Sequence, residues 1–188
     1  MIQPAPSPTV CRSLLVLGGA RSGKSAYALA LAEAAAPLRL YLATGSAGDE
    51  EMAARIARHR AERGAGWTTL EEPLALAEAL AGAARATRVV LVDCLTFWLA
   101  NAMFAGRDVA AETARLSAAI GALDGPVVFV SNEVGYGIVP ETRLGREFRD
   151  AQGRLNQAVA QACDGVALVV AGLPIPLKPA PAPRFGLR

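Results

Sequence analysis

Gly18-Gly19-Ala20-Arg21-Ser22-Gly23-Lys24-Ser25 places two glycines, a lysine and a hydroxyl at the spacing G-x-x-x-x-G-K-[ST]. The residue types suit one chemistry. Glycine admits backbone torsions closed to other residues and lets the main chain approach an anion without a side chain in the way. Loop N–H groups then converge on phosphate oxygens, helped by the unpaired donors and dipole of a following helix. In such a loop Lys24 reaches the β- and γ-phosphates and the Ser25 hydroxyl ligates Mg²⁺. The alternative is an ordinary glycine-rich turn. It is disfavoured because the stretch follows the apolar run Leu14–Leu17 and precedes the alanine-rich segment Ala26–Ala36, giving strand, loop and helix. A nucleoside triphosphate is the ligand the pattern implies.

Three further residues are candidates for chemistry. Asp93 ends the apolar run Val89-Val90-Leu91-Val92, where it can hold the magnesium ion directly or through water. Its other role would be to cap a helix starting at Leu95. His59 is the only histidine and stands among Arg55, Arg58, Arg60 and Arg63. Cations disfavour the imidazolium, leaving a neutral nucleophilic ring, and guanidinium groups hold phosphate oxygens. Such a ring can act as a covalent catalyst of phosphoryl or nucleotidyl transfer. Spacing alone nevertheless favours an ordinary surface histidine on a charged helix. Glu133, in the loop Ser131–Pro140, suits either orientation of an acceptor hydroxyl or metal, or capping of the helix after Pro140; the residues leave both open.

The elements that must position these groups alternate. After the first strand and helix, Arg39–Ala43 is expected as a strand ending at Thr44-Gly45-Ser46. Ser46-x-x-Asp49 has the form of a capping box opening a helix to about Arg63. Trp67–Leu70 has strand character, and Pro73 suits the first turn of a helix over Leu74–Ala84. Val89–Asp93 and Val127–Val130 are continuous apolar runs, the mark of strands covered on both faces. Helices are expected over Leu95–Phe104, Val109–Leu123 (capped by Asp108) and Arg143–Ala162, and a last strand over Val166–Ala171. From Pro174 five prolines predict an extended or disordered tail. The pattern predicts an α/β fold: one domain over 13–178, its mostly parallel sheet covered by helices on both faces. A flexible lead-in (1–12) and a proline-rich tail (179–188) flank it. Ligands bind at the strands' C-terminal ends in such sheets.

Composition excludes other classes. The 188 residues suit a single compact domain. A net charge of +2 gives no reason to expect nucleic acid. Although 53% of residues are hydrophobic, no run approaches the ~20 needed for a membrane span. The stretch Met1–Pro8 has no basic n-region and is broken by prolines, so it does not read as a secretory signal. Three scattered cysteines, Cys11, Cys94 and Cys163, form neither a metal pair nor a disulfide set. The expected location is the reducing cytoplasm.

From about Leu14 to Lys178 the chain resembles the bifunctional adenosylcobinamide kinase/adenosylcobinamide-phosphate guanylyltransferases of cobalamin biosynthesis. Matching stretches are 18–25, Tyr-Leu-Ala-Thr (41–44), Asp-Glu-Glu-Met-Ala-Ala-Arg-Ile-Ala-Arg-His-Arg (49–60), Trp67 with Glu71-Glu72-Pro73, Val-Asp-Cys-Leu-Thr (92–96), Ser131–Pro140 and Gly-Arg-Leu-Asn-Gln (153–157). The Asn-Glu-Val-Gly loop and the Arg-Ile-x-x-His segment are far more specific than the phosphate loop. The resemblance implies a RecA-like phosphate-loop domain, homo-oligomers, and two reactions. ATP or GTP phosphorylates the aminopropanol hydroxyl of adenosylcobinamide, a corrinoid; GMP then passes from GTP to the phosphorylated product through a GMP–histidine intermediate. It assigns that intermediate to His59, reversing the preference from spacing. It implies nucleotide contacts at Gly18, Gly19, Ala20, Arg21, Ser22, Gly23, Lys24 and Ser25, at Ala43, Thr44 and Gly45, at Arg60, Ala61, Glu62 and Arg63, and at Glu71 and Asp93. Lys24 joins His59 in catalysis, and Ser25 and Asp93 hold the metal. The segments before Ser13 and after Lys178 exceed the family pattern. A monofunctional kinase would need no histidine, and a non-catalytic nucleotide switch would show no turnover with corrinoid.

Overall fold

The computed structural model describes residues 10–45, 63–64 and 66–179. The expected capping box at Ser46 and the helix to about Arg63 lie outside the described residues, apart from Arg63 itself. The first strand, β1 (Ser13–Gly18), runs through the loop 19–23 into α1 (Lys24–Ala35), followed by β2 (Leu38–Ala43) and β3 (Trp67–Glu71). Then come α2 (Leu76–Ala83), β4 (Arg88–Asp93), α3 (Leu95–Phe104), α4 (Val109–Gly121), β5 (Val127–Asn132), α5 (Arg143–Ala162), β6 (Gly165–Val170) and β7 (Leu173–Lys178).

The strands form one sheet in the order β3-β2-β4-β5-β1-β6-β7. Every pairing is parallel except that of β6 with β7. Strand alternation feeds two cores, because successive side chains point to opposite faces. Leu15, Leu17, Leu42, Val90, Val92 and Phe129 pack beneath α2 to α5, around the buried Trp98 and Leu155. Val16, Tyr41, Leu91, Val128 and Val130 pack on the other face, where Ala28 and Ala32 of α1 are fully buried. Alanine at those positions lets the helix that follows the phosphate loop approach the sheet closely.

Several boundaries differ from the sequence expectation for identifiable reasons. Helix α2 starts at Leu76, not Leu74, because the Glu72 carboxylate accepts from Leu74 N (2.9 Å) and Ala75 N (2.8 Å) and holds that turn outside the helix. Pro73 therefore precedes the helix. Helix α4 ends at Gly121: Ala122 N and Leu123 N bond three residues back, tightening the last turn. Its predicted cap is present, Asp108 accepting from Ala110 N and Ala111 N.

The largest correction is β7. Residues 174–178, expected to begin an extended or disordered tail, form an edge strand antiparallel to β6. Pro174 and Pro176 are two residues apart, so both nitrogens point to the same side of the strand. At a sheet edge that side makes no ladder, which is where proline is tolerated. Lys178 pins the strand: its ammonium donates to Ala160 O (3.1 Å) and Gln161 O (3.0 Å) at the C-terminus of α5. Those carbonyls otherwise lack intrahelical donors, and a cation there also suits the helix dipole.

Candidate active site

The parallel strands bring their C-terminal ends to one edge, and the register shows which residues meet there. Gly18 pairs with Asn132, Asp93 with Ala43, and Ala43 with Glu71. Residues spread over more than a hundred positions of sequence form a single row. Strand β5 lies between β1 and β4, so the phosphate loop and Asp93 face each other across its end.

In the loop, Gly18 is required by close approach. A Cβ there would stand 2.4 Å from Ser22 Oγ and 2.7 Å from Val169 O. Gly23 has φ +94° and is the N-cap of α1, which has no side-chain cap and no acidic residue in its first turn. The first N–H groups of α1 thus receive no side-chain acceptor of the usual capping kind. Ser22 Oγ is buried with no hydrogen-bond partner among the described residues. Both features suit an anion with several oxygens. Lys24 is 7% exposed and donates from Nζ to Gly19 O at 3.1 Å, folding its side chain back along the loop. Gly172 N donates to Ser22 O (2.8 Å), so the β6–β7 turn buttresses the loop.

Asp93 does not cap α3. The cap residue is Cys94, and that helix has no side-chain cap. The Asp93 carboxylate instead accepts from the Tyr41 hydroxyl at 3.0 Å. Tyr41 is buried, and burial followed by the Asp93 charge pushes its phenol well above the usual range, so it remains a donor. The Arg63 guanidinium lies 3.5 Å from the Tyr41 ring centroid, and Trp67 meets that ring edge-on at 6.4 Å. Arg63, Tyr41 and Asp93 thus form a continuous stack at the sheet edge. Sequence reasoning missed Tyr41's part; its one signal was a phenol on a buried strand two residues from the strand end.

The other predicted positions divide. Ala43 and Glu71 sit in the edge row. Thr44 is fully buried; its hydroxyl donates to Cys94 O (2.6 Å) and accepts from Cys94 N (2.9 Å), locking the end of β2 to the β4–α3 junction. Gly45 lies against the Phe97 ring, 3.3 Å from where a Cβ would be. His59, Arg60, Ala61 and Glu62 lie outside the described residues.

The loop after β5 is held to the phosphate loop directly. Glu133 N donates to Gly18 O (3.1 Å), and Asn132 N donates to Thr96 Oγ1 (3.0 Å). Glu133 does not cap α5, since Thr142 does so through Gly145 N. Its Oε1 accepts from Gly135 N at 2.9 Å. Behind it lies a buried polar cluster: Ser131 Oγ donates to Asn156 Oδ1 (2.7 Å), Gln152 Nε2 donates to both, and Asn156 Nδ2 donates to Asn132 O (3.0 Å). Paired amides buried at i and i+4 fix α5 against the end of β5. Polar residues within the apolar stripe formed with Leu155 and Val159 were the available signal.

Comparison with known proteins follows the same outline. The family model described as cobinamide kinase / cobinamide phosphate guanyltransferase matches residues 14–177. The bifunctional adenosylcobalamin biosynthesis protein CobP of Pseudomonas aeruginosa is 50% identical over 169 residues, covering 89% of this chain and 98% of that protein. The CobU protein of Escherichia coli, also described as a bifunctional adenosylcobalamin biosynthesis protein, is 42% identical over 180 residues, covering 88% and 99%. Among solved structures, the type III secretion ATPase EscN of enteropathogenic E. coli superposes with a TM-score of 0.56 at 13% identity. That match covers 86% of this chain and 43% of EscN. It shows the fold alone: a RecA-like phosphate-loop domain, with one strand between the phosphate-loop strand and the Asp93 strand.

Proposed function

The chain belongs to the cobinamide kinase / cobinamide phosphate guanyltransferase family, and from that premise we propose that it catalyses two consecutive transfers onto one corrinoid. In the first, the aminopropanol hydroxyl of adenosylcobinamide attacks the γ-phosphorus of ATP or GTP; the bond to the β-γ bridging oxygen breaks and the nucleoside diphosphate leaves. In the second, a ring nitrogen of His59 attacks the α-phosphorus of GTP and expels pyrophosphate. The phosphate of adenosylcobinamide phosphate then displaces His59 from the GMP, giving adenosylcobinamide-GDP.

The observation that carries this reading is the convergence of the phosphate loop, Asp93 and the Asn132-Glu133 turn at one sheet edge. Gly18 to Ser25 cradle the phosphates and Lys24 neutralises the charge that develops on transfer. Ser25 and Asp93 are hard oxygen donors suited to Mg²⁺, which characteristically takes one or two protein oxygens together with substrate phosphates. Bound there, the ion supplies charge neutralisation at the phosphates. Ala43, Gly45, Arg60, Ala61, Glu62, Arg63 and Glu71 complete the nucleotide site, while the buried Thr44 fixes the end of β2 behind it. Tyr41 holds the Asp93 carboxylate, and Arg63, four residues after His59 in sequence, stacks on Tyr41. No helix among the described residues is long and apolar enough to cross a membrane; a cytoplasmic homo-oligomer is the form we propose.

The test uses α-labelled GTP. Wild type acquires an acid-labile, alkali-stable GMP label, and His59→Ala loses it together with adenosylcobinamide-GDP formation while still phosphorylating the corrinoid. A thermal melt of the variant, run beside both assays, separates loss of the covalent step from loss of the fold. Undiminished labelling of His59→Ala refutes the covalent step. Loss of both activities in a folded variant refutes the division of labour.

A further inference from the structure

A cavity of about 600 Å³ opens between the Glu133–Tyr136 turn, α5 and the sheet at β1, β6 and β7. Its floor includes Leu17, the residue before Gly18, together with Val166 and Leu177. Its inner end is Glu133, whose backbone is bonded to Gly18. The cavity therefore lies beside the phosphate loop, on the sheet face opposite α1.

The wall contributed by α5 is unusual in composition. Gly153, Gln157 and Gln161 follow one another at intervals of four, so they line up along one helix face. Gly153 sits near the middle of a 20-residue helix, where glycine costs about 0.5–1 kcal/mol relative to alanine. Packing does not demand it, as a Cβ at 153 would meet nothing within 4 Å. Gly82 and Gly121 are equally open, but both stand in last turns, where glycine costs less. The absent side chain at 153 widens the cavity. The side chains of Gln157 and Gln161 are exposed and make no hydrogen bond among the described residues, unlike Gln152 and Asn156 on the buried side of the same helix.

We infer that this groove is the corrinoid site: it takes the carboxamide-bearing edge of the macrocycle, and Glu133 receives a hydrogen bond from the acceptor hydroxyl beside the phosphate loop. The inference rests on the function proposed above. Corrinoids of this class are apolar rings fringed with primary amides. An apolar floor under a rim of glutamine amides matches that chemistry, since each amide both donates and accepts. Lys178 also borders the cavity, but its ammonium is engaged with the α5 carbonyls, so the groove offers a corrinoid amides more than charge.

The experiment is equilibrium binding of adenosylcobinamide to the full chain, with nucleotide affinity and melting temperature measured alongside. Gly153→Phe projects a ring into the groove and is expected to weaken corrinoid binding at least about tenfold. Nucleotide affinity should be unchanged and the melting temperature equal or higher. Gly153→Ala, which narrows the groove by one methyl group, should weaken corrinoid binding less, by about two- to threefold. Gln157→Ala should weaken binding about three- to tenfold, the loss of one hydrogen bond. Glu133→Gln should lower kcat for phosphorylation while leaving corrinoid affinity within about threefold. If wild type binds adenosylcobinamide and Gly153→Phe binds it equally well, the groove assignment is overturned and the proposed function stands. If wild type neither binds nor phosphorylates the corrinoid, the function fails and the groove assignment with it.

Discussion

Replacing Asp93 by asparagine separates its charge from its shape. The carboxylate accepts from the buried Tyr41 hydroxyl at 3.0 Å, and an asparagine turned with its oxygen toward Tyr41 keeps that bond. What changes is its type. A hydrogen bond to a charged group contributes about 1.5–3 kcal/mol and a neutral one about 0.5–1.5, so the expected loss of stability is about 1 kcal/mol. For a chain of this size that lowers the melting temperature by about 2–4 °C. Loss of a preorganised charge at the phosphates costs far more in the transition state, on the order of 3–4 kcal/mol, or about 10²–10³ in kcat. The assay is corrinoid phosphorylation titrated with Mg²⁺, run beside a thermal melt. Asp93→Asn should need more Mg²⁺ and reach a much lower plateau while melting almost normally. Removing the negative charge should also bring the Tyr41 phenol down towards its usual range, although burial keeps it raised. Tyr41→Phe is the control: it keeps the charge and removes the donor, so it should cost about 1–2 kcal/mol of stability and less than about tenfold in kcat. An Asp93→Asn enzyme that titrates with Mg²⁺ and turns over as wild type does would make the carboxylate purely a partner for Tyr41.

Two further outcomes follow from the same geometry. Gly18→Ala places a methyl group 2.4 Å from Ser22 Oγ and 2.7 Å from Val169 O; the hydroxyl can rotate away but the backbone oxygen cannot, so the loop shifts. A cost of about 1–3 kcal/mol and at least about a tenfold loss of nucleotide affinity are expected, and wild-type affinity by fluorescent-nucleotide titration would contradict the close-approach reading. The second concerns alkali. Burial, reinforced by the Asp93 charge, pushes the Cys94 thiol up to about 11, and burial pushes Cys163 up to about 12, both from an ordinary value near 9. Above about pH 9 the unfolded chain releases these protons and the folded chain retains them, so fewer protons are bound in the unfolded state and stability falls as pH rises. The decline should run from about pH 9 to 11–12, by up to about 1.4 kcal/mol per pH unit for each thiol. Denaturant melts across that range check the slope, and a stability flat to pH 11 would contradict it.

The parts of this protein that follow from sequence alone are those decided by near neighbours. The phosphate loop is legible because its glycines, lysine and serine act through their own backbone and the helix that follows immediately. Val89–Val92 announces a strand covered on both faces, and Asp93 marks its end. A helix over Arg143–Ala162 and a cap at Asp108 are expected from the sequence, and the structure has both. Alternation along a strand tells which face a residue takes, but it does not name the neighbouring strand. Parallel strands pair only after a crossover, so their order depends on contacts between distant segments. That order, with β5 between β1 and β4, carries Asn132 and Glu133 to Gly18 and sets them opposite Asp93. The same holds for Tyr41 on Asp93, fifty-two residues apart, and for Gln152 and Asn156, polar residues in an apolar stripe until Ser131 meets them in the core. Strand β7 was hidden for a related reason. Proline is a poor strand former wherever both edges must bond, and only the finished sheet makes Leu173–Lys178 an edge, where two prolines facing outward cost no ladder hydrogen bond.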